Sequence, residues 1–201
     1  MTTPWDVRLS IDARGHDDVQ VTAVPDGRAT GPQLRVRVGM VVVHCLSASA
    51  VMSTGMAWAT ARLLSREWLP DWQGPDASVS AREREQYGWA STAGSVIFDG
   101  RQPWHAAAHT LTMVVTVGPL RVAVHDFTAL DTHLRAWTEA SALATRVFPG
   151  RAVPFNDLLD RARAAELRRV DGAIDKLPHR LTRATNMNPV PRRQPLSRGR
   201  D

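Results

Sequence analysis

Histidines and one cysteine hold most of the chemistry open to this 201-residue chain. His125 and Asp126 are adjacent, and His133 follows two positions after Asp131. An imidazole and a carboxylate within hydrogen-bond reach can pass a proton to and from a substrate. His125, Asp126 and His133 are therefore the candidates for a catalytic acid and base, and they define a small hydrolase or metal-dependent enzyme as one reading. His105 and His109 form His-x-x-x-His, a spacing that brings two imidazoles to one face of a helix, as a zinc site needs. The glutamate that follows the first histidine of a zincin is replaced by Ala106, so His105 and His109 are only weak metal candidates. His44 precedes Cys45, and a nucleophilic thiolate needs a nearby base. Consecutive strand residues point to opposite faces, however, so Cys45 reads as a buried thiol. The chain has no glycine-rich phosphate loop, no Gly-x-Ser-x-Gly and no Cys-x-x-Cys, so no cofactor is implied and the expectation leans away from an enzyme.

Charge is distributed unevenly. Residues 1–150 hold 13 Arg against 14 acids, whereas residues 151–201 hold 12 Arg and Lys against 6 acids, so the net charge of +5 is C-terminal. Residues 176–200 carry seven basic residues and no acid, and Pro178, Pro189, Pro191 and Pro195 interrupt any helix. Such an arm neutralises phosphates without sequence preference, which makes Arg180, Arg183, Arg192, Arg193, Arg198 and Arg200 candidate contacts to nucleic acid or to an acidic partner. With a single cysteine there is no disulfide framework, and residues 1–8 lack the apolar run of a secretory signal. Both features predict a cytoplasmic protein.

The elements that must position these residues come from an internal repeat. Residues 36–70 align with 115–149 at an offset of 79 without a gap, pairing Val36 with Val115, Gly39 with Gly118, Trp58 with Trp137 and Pro70 with Pro149. In both copies the apolar period changes from 2 to 3.6 at the same point, which reads as a hairpin followed by a helix. Ser49 and Thr128 are the expected helix caps. Leu130, Leu134, Trp137, Ser141 and Ala144 form one apolar stripe on the second helix, which Pro149 stops. Strand-like sequence at residues 7–11, 19–24 and 95–98 adds strands upstream, and a last helix is expected from Asp157 to about residue 176 with Asn156 as its cap.

The fold class is therefore α+β: antiparallel sheet with helices on one face, from two tandem units of pseudo-twofold relation. The expected domains are a first unit at 1–75, a second at 76–153, a C-terminal helix at 154–178 and a disordered Arg/Pro-rich tail at 179–201. Between Arg37 and Arg62 there are 24 residues with no formal charge, long enough for a membrane span. The repeat partner of that stretch carries Asp126, Asp131, Arg135 and Glu139, so the membrane reading is rejected. Ser53, Thr54, Gly55 and Thr60 make its outward helical surface small and uncharged, which requires a cover. That cover is either the C-terminal helix of the same chain or a second subunit in a homodimer.

The duplicated pattern Val-x-Val-Gly, apolar strand, then Ala-x6-Ala-Trp-x2-Ala ending in Pro resembles uncharacterised actinobacterial proteins, some of them near plasmid-like or integrated elements. The resemblance implies no activity and transfers no functional residue. The functional expectation is a non-enzymatic binding or assembly protein whose basic arm contacts nucleic acid or an acidic partner. The alternatives are the enzyme around His125, Asp126 and His133, and a homo-oligomeric scaffold built on the uncharged first helix.

Overall fold

The structure, a computed structural model, describes residues 9–27, 31–65, 69–71 and 93–174. The chain is α+β, and its described residues form two four-stranded sheets and three helices. Strands β1 (Leu9–Ala13), β2 (Val19–Gly27), β3 (Gly31–Val38) and β4 (Val41–Cys45) lead into α1 (Ala48–Leu64). Strands β5 (Gly94–Phe98), β6 (Trp104–His109), β7 (Thr112–Val117) and β8 (Leu120–Val124) lead into α2 (Phe127–Val147), and α3 (Phe155–Ile174) follows. The order of four strands and a helix thus occurs twice, with β4 and β8 at matched positions of the sequence repeat, which makes a duplicated unit plausible. Gly39 and Gly118 turn the two matched hairpins at φ +57° and +52°, a backbone region that a side chain strains.

Antiparallel pairing joins β2, β3 and β4 in one sheet and β6, β7 and β8 in the other. Each sheet then gains a parallel strand from the opposite half. β5 lies along β4 with Val43 opposite Val96, and β1 lies along β8 with Ile11 opposite Val122. Parallel neighbours require a crossover rather than a tight turn. The helices are exchanged as well, since α1 packs chiefly on β6 and β7 while α2 packs on β2 and β3. Stretches 1–75 and 76–153, expected as successive units, therefore interlock, and residues up to Ala165 form one compact unit.

Alternation within the strands explains the core. Leu34, Val36 and Val38 of β3 and Met113, Val115 and Val117 of β7 are buried with Trp58 and Trp137 in one cluster. Burial of each indole stabilises by on the order of 3 kcal/mol. The helix caps lie two residues earlier than the expected Ser49 and Thr128. The Ser47 side chain accepts from the Ala50 amide at 3.2 Å, and the Asp126 carboxylate accepts from Ala129 at 2.8 Å. Both cap residues have extended φ, as a side chain reaching back to its own helix requires.

α3 likewise begins two residues before the expected Asp157. Its Phe155, Leu158, Leu159 and Ala162 are buried at helical spacing. A Cβ on Gly55 would lie 2.6 Å from Leu158 Cδ1 and 3.8 Å from Phe155 Cδ2, so α3 rests directly on the glycine of α1. Of the residues expected at a subunit interface, Ser53, Thr54 and Gly55 are buried within the chain and Thr60 is half-buried, and at Gly55 the small residue admits α3. From Glu166 onward α3 belongs to a second unit, whose described turns carry an exposed Glu166–Arg169 ion pair at 3.2 Å. Among the described residues no helix is long and apolar enough to cross a membrane.

Candidate functional site

The acid/base candidates do not converge. Asp126 is 3 % exposed and its carboxylate is consumed by two backbone amides, Ala129 and, at 2.9 Å, Gly15. It caps α2 and ties the loop after β1 to that cap. His133 lies on the inner face of α2, its ring stacked on Trp58 at 4.3 Å and 5°. Burial pushes its pKa down to about 4, so it sits as a neutral aromatic surface. His125 points the other way, to Asp12 on β1 at 2.9 Å and towards the Thr112 hydroxyl at 3.5 Å. Asp12 is exposed, and a pair of this kind contributes little to stability. Three residues close in sequence thus take three separate structural roles, because a helix cap, an inner helix face and a sheet rim point in different directions.

His105 and His109 are both on β6, not on a helix. Four strand residues place them about 13 Å apart, too far to share an ion. Among the described residues no group of three or more His, Cys, Asp or Glu side chains is placed to hold a metal. Cys45 is fully buried against Phe98 on β5, and burial pushes its thiol up to about 12, so it is inert as a nucleophile. His44 emerges on the opposite face of β4.

The outer face of the β2–β3–β4–β5 sheet is basic. The described helices cover only its inner side, and Arg35 and Arg37 are exposed on β3. Register places Arg35 between Thr22 and His44, and Arg37 between Gln20 and Val42. Strand positions 20–24, 33–37, 42–44 and 95–97 include no acid. Gln20, Arg35, Arg37, Met40, His44 and Ser95 border a shallow depression of about 470 Å³. The Arg37 Nε donates to the Gly39 carbonyl at 2.8 Å, which holds that side chain along the hairpin. Arg35 has no ion-pair partner among the described residues, and its charge, after burial, helps hold the His44 imidazole below its ordinary pKa. The surface can offer guanidinium donors to an extended anion, with Met40 and Ile97 exposed beside them.

No family model, curated protein or solved structure matches the chain. Arg180, Arg183, Arg192, Arg193, Arg198 and Arg200 lie outside the described residues. Arg35 and Arg37 are not among the candidates named from sequence. The available signal is that two outward positions of β3 are arginine while their repeat partners, Val114 and Thr116, are uncharged.

Proposed function

We propose that the chain is a non-catalytic binding protein for a polyanion, with nucleic acid as the ligand class to test first. The outer face of the β2–β5 sheet contributes ordered contacts and the arm at residues 176–200 adds salt-sensitive ones. The observation that carries this reading is the pair Arg35 and Arg37 on a sheet face that no described helix covers, with no acidic strand residue beside them. A flat, basic face with exposed apolar side chains suits a backbone-plus-base ligand better than a compact one. The acid/base residues favoured no competing reading, since each is committed to a cap, a stack or a rim contact.

The test is binding of fluorescent duplex and single-stranded DNA across a salt series. Three proteins are compared: the full chain, a chain ending at Leu177, and the full chain with Arg35→Gln and Arg37→Gln. Each change is expected to weaken binding, and the double substitution should flatten the slope of log affinity against log salt by about 1.4–1.8, at about 0.7–0.9 for each of two phosphate contacts. Unchanged binding by the double variant removes the sheet face from the reading, and no binding by the full chain removes the reading altogether.

A further inference from the structure

A second surface, separate from the basic sheet face, lies where the start of α1 meets the loop between β5 and β6 and the first turns of α3. Met52, Met56, Trp104 and Leu158 form the apolar part of a cleft of about 280 Å³, and Arg101 and Arg161 line the same cleft from two different elements. Among the described residues neither guanidinium has a hydrogen-bond or ion-pair partner, and no acidic one lines the cleft. The loop that bears Arg101 is held: the Gln102 amide donates to the buried Ser53 hydroxyl at 3.0 Å, and the Gly118 amide donates to the Pro103 carbonyl at 2.8 Å.

The equivalent corner of the other half shows that such a cleft is not a general consequence of the fold. There Thr132 stands where α1 has Ser53, and Asp131 and Arg135 stand where it has Met52 and Met56. His16, from the matching loop, closes that corner on itself. Its Nδ1 lies 3.3 Å from the Thr132 hydroxyl and its Nε2 lies 3.4 Å from Arg135. One half has satisfied its polar groups internally, and the other presents a soft apolar floor beside two cations that no described residue pairs.

We infer that this cleft binds a small amphipathic anion, a single carboxylate or phosphate group carried on a short apolar body. Methionine side chains adapt to such a body, Trp104 offers a flat wall, and the volume sits at the lower edge of ligand clefts, which limits the body to a short one. The guanidiniums supply charge-assisted donors to either headgroup.

Isothermal titration calorimetry on the full chain with octanoate, octyl phosphate and octanol separates the contributions. At least one of the two anions should bind about tenfold or more tightly than octanol, and whichever binds better identifies the headgroup. Arg101→Gln and Arg161→Gln, both at exposed positions, should each weaken the anion about tenfold while leaving octanol unchanged, with circular dichroism confirming the fold. The inference is overturned if octanol binds as well as the anions, if both arginine variants bind like the parent, or if no probe binds to its solubility limit.

Discussion

α1 and α2 occupy matched places in the two halves, yet the groove along one is filled and the groove along the other is not filled by any described residue. On α1, Gly55 receives Leu158 and Phe155 of α3, with Ser141 of α2 as a flank 3.5 Å from where a Cβ would stand. The residue of α2 at the same repeat position is Leu134, and Arg62 stands where the first groove has Ser141. Leu134 and Arg62, with Phe127, Leu130, Asp131 and Glu139, border an open groove of about 690 Å³. Two nearly equivalent backbones thus differ in what they admit. A glycine at one position lets a helix approach closely, whereas a leucine and a charged rim leave the counterpart accessible.

The largest effect is expected from erasing that difference. Gly55→Leu places on α1 the residue α2 already has, and its Cβ alone would meet Leu158 Cδ1 at 2.6 Å. Overpacking of this kind costs about 1–3 kcal/mol, and here it also lifts the buried side chains of α3 from their seat. Urea unfolding should show a loss of about 3 kcal/mol or more. A neutral result would mean that α3 does not depend on the α1 groove.

The next contrast lies one residue earlier, where α1 has Thr54 and α2 has His133. Thr54 is satisfied by the Ala50 carbonyl at 2.9 Å, but His133 is an ionisable ring held neutral against Trp58. Above pH about 6.5 the imidazole is neutral folded or unfolded, so its contribution to stability is complete there. As pH falls below that value the unfolded chain takes up a proton that the folded chain refuses until about pH 4. Stability should therefore decline through this window and level off below it, by a total of about 3 kcal/mol for this group. His133→Leu should remove that part of the pH dependence in thermal melts from pH 7 to 4, and an unchanged slope would show that other groups govern acid stability.

Local alternation and helical period made part of this molecule readable in advance. The hairpins turned at Gly39 and Gly118 and the apolar stripe of α2 follow from neighbours in sequence. The parallel partners β1 with β8 and β4 with β5 were not readable, since strand pairing across more than fifty residues leaves no periodic trace. β6 was missed for a different reason: Trp104–His109 is half alanine, and its strand character comes from pairing with β7. The candidate His125, Asp126 and His133 were close in sequence, but only the fold shows that they diverge. Arg35 and Arg37 were visible as alternating positions, whereas which face the helices leave bare depends on α2 crossing to the opposite sheet.

The smallest of these contrasts separates the two helix caps, and it tests whether the halves are tied together unequally. Ser47 satisfies one amide, that of Ala50, and its hydroxyl also lies 3.0 Å from that of Ser49. Asp126 satisfies two, and the second belongs to Gly15, on the loop that returns from the exchanged strand β1. Loss of a cap costs about 1 kcal/mol, and leaving a buried amide unpaired adds a further 1–3 kcal/mol. Ser47→Ala should therefore cost about 1 kcal/mol, and Asp126→Ala about 2–4 kcal/mol. Hydrogen exchange should show added loss of protection at Gly15 and along β1 only in the aspartate variant. Equal costs with no change at Gly15 would mean that Asp126 is an ordinary cap and that β1 is held to β8 by its ladder alone.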